Sequence, residues 1–123
     1  MPPISESLER LIRERLPSSE QIEIVLLLRG DRERAWSAPE VSQRLGTPPE
    51  STAMRLFLLA SNGVVVFEGS GIPRYRYAAA FETEVEELAE AWVNQRDALT
   101  PLVGAPAAPD ALRSFADAFK LKK

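Results

Sequence analysis

The stretch from Ser37 to Tyr77 constrains the fold more than any other part of the chain. Ser37-Ala38-Pro39-Glu40 and Thr47-Pro48-Pro49-Glu50 both read as capping boxes, a hydroxyl followed three residues later by a carboxylate. Each marks a helix start, and Gly46 between them leaves room only for a tight turn. Asn62-Gly63 stops the second helix. Val64-Val65-Val66-Phe67, a Gly-Ser-Gly loop and Arg74-Tyr75-Arg76-Tyr77 then predict a hairpin with its tip over Glu68 to Ile72. Alternation along its second strand puts Arg74 and Arg76 on one face, Tyr75 and Tyr77 on the other. Two short helices, a tight turn and a hairpin make a shape commonly laid against DNA.

The flanks supply the core. A helix from Ser5 to Leu16 carries Leu8, Leu11, Ile12 and Leu16 as one apolar stripe, and Pro17 ends it. Ser18 with Gln21 offers a further capping box, opening a helix with Ile22, Val25, Leu26, Leu27 and Leu28 that ends at Gly30. Its second half is apolar nearly all round, which predicts the central core element. Asp31 to Arg34 reads as a charged turn and Ala35-Trp36 as a short strand. Helices are expected over Ala38–Leu45 and Pro48–Asn62.

Beyond the hairpin, Phe81, Val85, Leu88, Trp92 and Leu99 form an a/d-like seam along a helix from about Glu82 to Leu99, interrupted at Gln95. Trp36 and Trp92 read as core or interface anchors. Glu82, Glu86 and Glu90 fall at i, i+4 and i+8 with no lysine beside them, a solvated face. Prolines 101, 106 and 109 with several alanines predict a semi-extended linker over 100–109. Residues 110–123 read as a short amphipathic tail with Leu112, Phe115 and Phe119 on one side and a lysine-rich end.

Composition narrows the chemistry. The 123 residues contain no cysteine and no histidine, which removes disulfides, thiol redox chemistry, the usual zinc sites and Ser-His or Cys-His catalysis. No phosphate-cradling Gly-x-x-x-x-Gly-Lys or calcium-loop spacing is present. Neither an enzyme nor a cofactor or metal site is expected. The opening residues have no basic stretch and apolar core of a signal peptide, and Ile24 to Leu28 is too short to cross a bilayer, so a cytoplasmic location away from membranes is expected. The net charge of −3 is unevenly spread. Residues 37–80 carry four basic and three acidic groups, whereas residues 81–109 carry one basic and six acidic groups. Any contact with DNA must therefore manage without a broad basic field.

From Ser18 to Ala78 the chain resembles the winged helix-turn-helix domains of bacterial transcription regulators. Pro39-Glu40-Val41-Ser42-Gln43-Arg44-Leu45-Gly46 matches the first helix, Thr47-Pro48 the turn, and Thr52, Leu56 and Leu59 the inward positions of the second helix. Asn62-Gly63-Val64-Val65 matches the helix stop and first wing strand, Tyr75-Arg76-Tyr77 the second. The resemblance implies a mostly α fold with a small β-hairpin, a winged helix-turn-helix with extra N- and C-terminal helices. It implies that the helix from Pro48 to Asn62 enters the major groove and that the Gly69 to Pro73 tip touches the backbone or minor groove. Arg55 would then meet a base, Ser51 a phosphate or base, and Arg44, Arg74 and Arg76 phosphates.

Residues 1–80 are thus expected as a winged-helix domain with its N-terminal helix. Residues 81–99 would be a dimerisation helix pairing two copies through Val85, Leu88 and Trp92. A second reading stays open. Met54, Phe57 and Leu58 make the recognition helix apolar, and with Leu112, Phe115 and Phe119 of the tail it could serve as a protein-docking module.

Overall fold

The computed structural model describes residues 3–69 and 71–103. Helix α1 (Glu6–Arg15) starts at Ser5, whose hydroxyl accepts the Leu8 N–H at 3.1 Å. Helix α2 (Ser19–Gly30) starts at Ser18, which accepts the Gln21 N–H at 3.2 Å. A short strand β1 (Trp36–Ser37) leads into α3 (Ala38–Leu45), a turn and α4 (Pro49–Ser61). Strands β2 (Val65–Glu68) and β3 (Arg74–Tyr77) form the wing, and a 3-10 turn at Ala79–Phe81 precedes α5 (Glu82–Asn94) and the short α6 (Arg96–Leu99). This is a winged helix with added helices at both ends. Among the described residues no helix is long and apolar enough to cross a membrane.

One core holds all these elements. Leu8, Ile12 and Leu16 of the first stripe are fully buried, as are Ile22, Ile24, Val25 and Leu28 of α2. They close on Val41, Leu56, Leu59 and Val64 from the helix-turn-helix and on Trp36, Tyr75 and Tyr77 from the sheet. Arg15 fastens the end of α1 to the end of α4, its guanidinium donating to the Asn62 carbonyl at 2.6 Å.

The first capping box forms as expected: the Ser37 side chain accepts from Glu40, and the Glu40 carboxylate accepts the Ser37 N–H at 2.8 Å. Gly46 closes α3 in the left-handed conformation, φ +71°, where a side chain would be strained. The second box does not form. A residue before proline is held out of the helical region, so Pro48 stays extended and α4 begins at Pro49. The Thr47 N–H meanwhile donates to the Ser42 carbonyl at 3.2 Å, and the Thr47 and Thr52 hydroxyls meet at 2.5 Å.

The sheet order is β1-β3-β2, antiparallel throughout, with Trp36 opposite Tyr75 and Val65 opposite Tyr77. Tyr75 and Tyr77 point into the core while Arg74 and Arg76 are half-exposed, as the alternation requires. Phe67 meets Tyr75 edge-on, with ring centroids 5.5 Å apart.

The C-terminal helix departs from expectation in two ways. It breaks at Gln95, where the apolar seam is interrupted; the backbone there turns to φ −139° and ψ 39°, and α6 folds Leu99 into the core. More consequentially, Val85 and Leu88 are buried within the chain's own core, where α5 packs on α1. They are therefore not the faces of a dimer seam, and 81–99 belongs to the same packed unit as 1–80. Ser5 secures this pairing by donating its N–H and hydroxyl to Glu87 at 2.9 and 2.6 Å. Trp92 is half-buried, with the Arg96 guanidinium 4.2 Å over its ring. Leu102 is also buried, so the segment expected as linker begins with a turn packed on the core. The tail positions Leu112, Phe115 and Phe119 lie outside the described residues.

Removing the Leu88 side chain tests this packing. Leu88→Ala is expected to destabilise the monomer by about 2–5 kcal/mol in urea denaturation, independently of protein concentration. An unchanged urea midpoint would contradict its burial against α1.

Candidate nucleic-acid interface

Helical periodicity decides what α4 presents. Thr52, Leu56 and Leu59 face the core, which turns Ala53, Met54, Phe57 and Leu58 outward. Met54 is 56% and Phe57 63% exposed, beside Glu50 in the first turn. The face that a winged helix offers to the major groove is thus apolar, apart from one carboxylate.

Arg55 lies at the flank of that face, over α2. Its Nε sits 3.4 Å from the Glu20 carboxylate, and its side chain is 33% exposed. Its buried Nε, like the two terminal nitrogens, makes no hydrogen bond among the described residues. Ser51 donates its hydroxyl to the same Glu20 carboxylate at 2.7 Å. Glu20 was not singled out in the sequence, because an acidic residue in the first turn of a helix is fully explained by the helix dipole.

The wing arginines also hold carboxylates. Arg74 Nη1 donates to Glu40 at 3.1 Å and to the Ala35 carbonyl at 3.4 Å, while Arg34 donates to the other Glu40 oxygen at 3.2 Å. Arg76 Nη1 lies 3.4 Å from Glu68 on the neighbouring strand. Arg44 has no carboxylate partner among the described residues; its guanidinium lies 5.3 Å over the Trp36 ring, which Arg34 covers at 3.7 Å. The five residues expected at one DNA surface therefore fall into separate groups: Ser51 and Arg55 on Glu20, Arg74 on Glu40, Arg76 on Glu68, and Arg44 over Trp36. Exposed ion pairs of this kind contribute about 0–1 kcal/mol each, so a phosphate can compete for the guanidiniums.

Glu82 is not part of a solvated acidic face. It sits 2.9 Å from Arg29 and 2.5 Å from Arg32, and accepts the Tyr77 hydroxyl at 3.3 Å. Glu86 and Glu90 remain exposed. Burial pushes the Glu82 carboxyl up, but the hydrogen bonds and charges of Arg29 and Arg32 outweigh it and the net shift is below the usual carboxylate value. Glu40 is also lowered, chiefly by the Ser37 backbone N–H; desolvation opposes it next, and the Ser37 hydroxyl and Arg34 add smaller lowering effects.

No protein-family model matches the sequence, and no curated relative matches it. Among solved structures the chain is similar to a MarR family protein from Bacillus stearothermophilus, with a TM-score of 0.54 and 18% identity. The match covers 92% of this chain and 77% of that one. At this identity the likeness establishes the winged-helix fold.

The lowered carboxyls fix the direction of the acid response. Glu40 and Glu82 hold protons less readily folded than unfolded, so their contribution is complete above the unfolded glutamate value, about 4.3, and is lost as pH falls through the lower folded values. The urea midpoint should drop across this acidic window, and Glu82→Gln should make the drop shallower. An identical pH profile in the variant would show that Glu82 carries none of the response.

Proposed function

We propose that the chain is a small winged-helix transcription regulator that docks on duplex DNA through α4 and the wing. The observation that carries this reading is the state of Arg55. Glu20 lies 3.4 Å from its Nε without a hydrogen bond, and no hydrogen bond among the described residues claims its two terminal nitrogens, the fork that can meet a phosphate or a guanine edge. Arg44 lacks any carboxylate partner among the described residues, and Arg74 and Arg76 share the outer face of the wing. The likeness in fold to a MarR family protein supports the regulator reading.

Affinity in this reading comes from phosphate contacts rather than from base hydrogen bonds, since the groove-facing side of α4 offers almost none. Two copies on adjacent half-sites would meet away from Val85 and Leu88, at the Trp92 end of α5, where Val93 is 79% exposed. A second reading, docking of a protein on α4, is favoured by the exposure of Met54 and Phe57.

Fluorescence anisotropy with a mixed-sequence duplex tests the proposal. Binding in the range of about 1–100 μM is expected at physiological salt and tighter binding at low salt, the affinity falling linearly on logarithmic axes as salt rises. Arg44→Gln or Arg76→Gln should each reduce that slope by about 0.9. No binding at ~100 μM in low salt would overturn the DNA reading. Light scattering tests the second contact: Val93→Glu should convert dimers to monomers, and an unaffected dimer would place the contact elsewhere.

A further inference from the structure

We propose that the outward face of α4 recognises the 5-methyl groups of pyrimidines in the major groove, so that thymine-rich or cytosine-methylated duplexes are its preferred ligands. The inference rests on the DNA-binding reading above and gives that site a ligand preference.

Reading a base edge by hydrogen bonds needs donors or acceptors on the helix face. Here that face consists of Ala53, Met54 and Phe57 with Leu58 beside them, and none of these side chains can donate. The single apolar group that a standard base pair shows in the major groove is the thymine methyl, and 5-methylcytosine places a methyl at the same ring position. Removing one methyl from water against an apolar side chain changes affinity by about fourfold. Several such contacts distinguish sequences without one hydrogen bond.

The charges beside the face favour DNA over a protein as its occupant. Arg55 lies at one flank with its terminal nitrogens unpartnered, and the wing carries Arg74 and Arg76 on its outer face.

The test compares four labelled duplexes in anisotropy titrations at low salt. They are alternating dA and dT, the same duplex with dU for dT, alternating dG and dC, and the same duplex with 5-methylcytosine. The methyl-bearing member of each pair should bind at least about fourfold more tightly. Met54→Ala with Phe57→Ala, at exposed positions that leave the core intact, should bring the two members of each pair to equal affinity. Equal binding within both pairs would overturn the inference and leave the DNA reading standing. Absence of binding to all four would overturn both. A methyl preference that survives the double variant would also overturn the assignment to this face. So would a dimer that the double variant dissociates in light scattering, which would assign the face to a second copy.

Discussion

The carboxylate of Glu40 is the junction on which the helix-turn-helix and the wing depend. It accepts the Ser37 N–H that starts α3, and its two oxygens reach Arg34 from the preceding turn and Arg74 from the wing. One side chain therefore sets the start of the helix-turn-helix, the path of the chain into it and the position of β3. Any individual contact is a modest surface interaction. Their convergence on one group is what couples the wing to the helices, because losing the carboxylate releases all three at once.

The rest of the architecture follows from where apolar faces can go. Helix α2, apolar through its second half, fills the centre and is covered by α3, α4 and β3. Helices α1 and α5 pair along their own stripes and close the remaining side. That pairing occupies Val85 and Leu88 and leaves the outer face of α4 as the exposed apolar surface of the helix-turn-helix unit. Arg55, Arg74 and Arg76 are drawn into intramolecular pairs around it. The molecule consequently offers a weakly charged, partly greasy surface where many winged helices would show a dense basic one.

Local signals in the sequence were sufficient for most of the fold. The stripe of Leu8, Leu11, Ile12 and Leu16, the Ser37 box, the left-handed Gly46 and the alternation of Arg74 to Tyr77 each depend on neighbours a few residues away, and each stands where the pattern put it. The failures had other causes. Thr47 looked like a cap because its box matched the spacing, but a proline followed by a proline overrode the hydroxyl. The seam of α5 had the period of a dimer interface, and periodicity does not say whether the partner helix is in the same chain. The candidate site was least legible of all. Glu20 meets Ser51 across 31 residues and Glu82 meets Arg29 across 53, and no local pattern announces such pairings.

The consecutive prolines at 48 and 49 have one more effect. A helix ordinarily opens with a ring of unclaimed amide hydrogens, and many proteins clasp phosphate there. In α4 two of those hydrogens do not exist, and Glu50 adds negative charge to the same turn. The tip that would lead into a nucleic-acid groove is thus a poor anion clasp by construction. Whatever this helix grips, it grips with its flanks and its oily side rather than with its end.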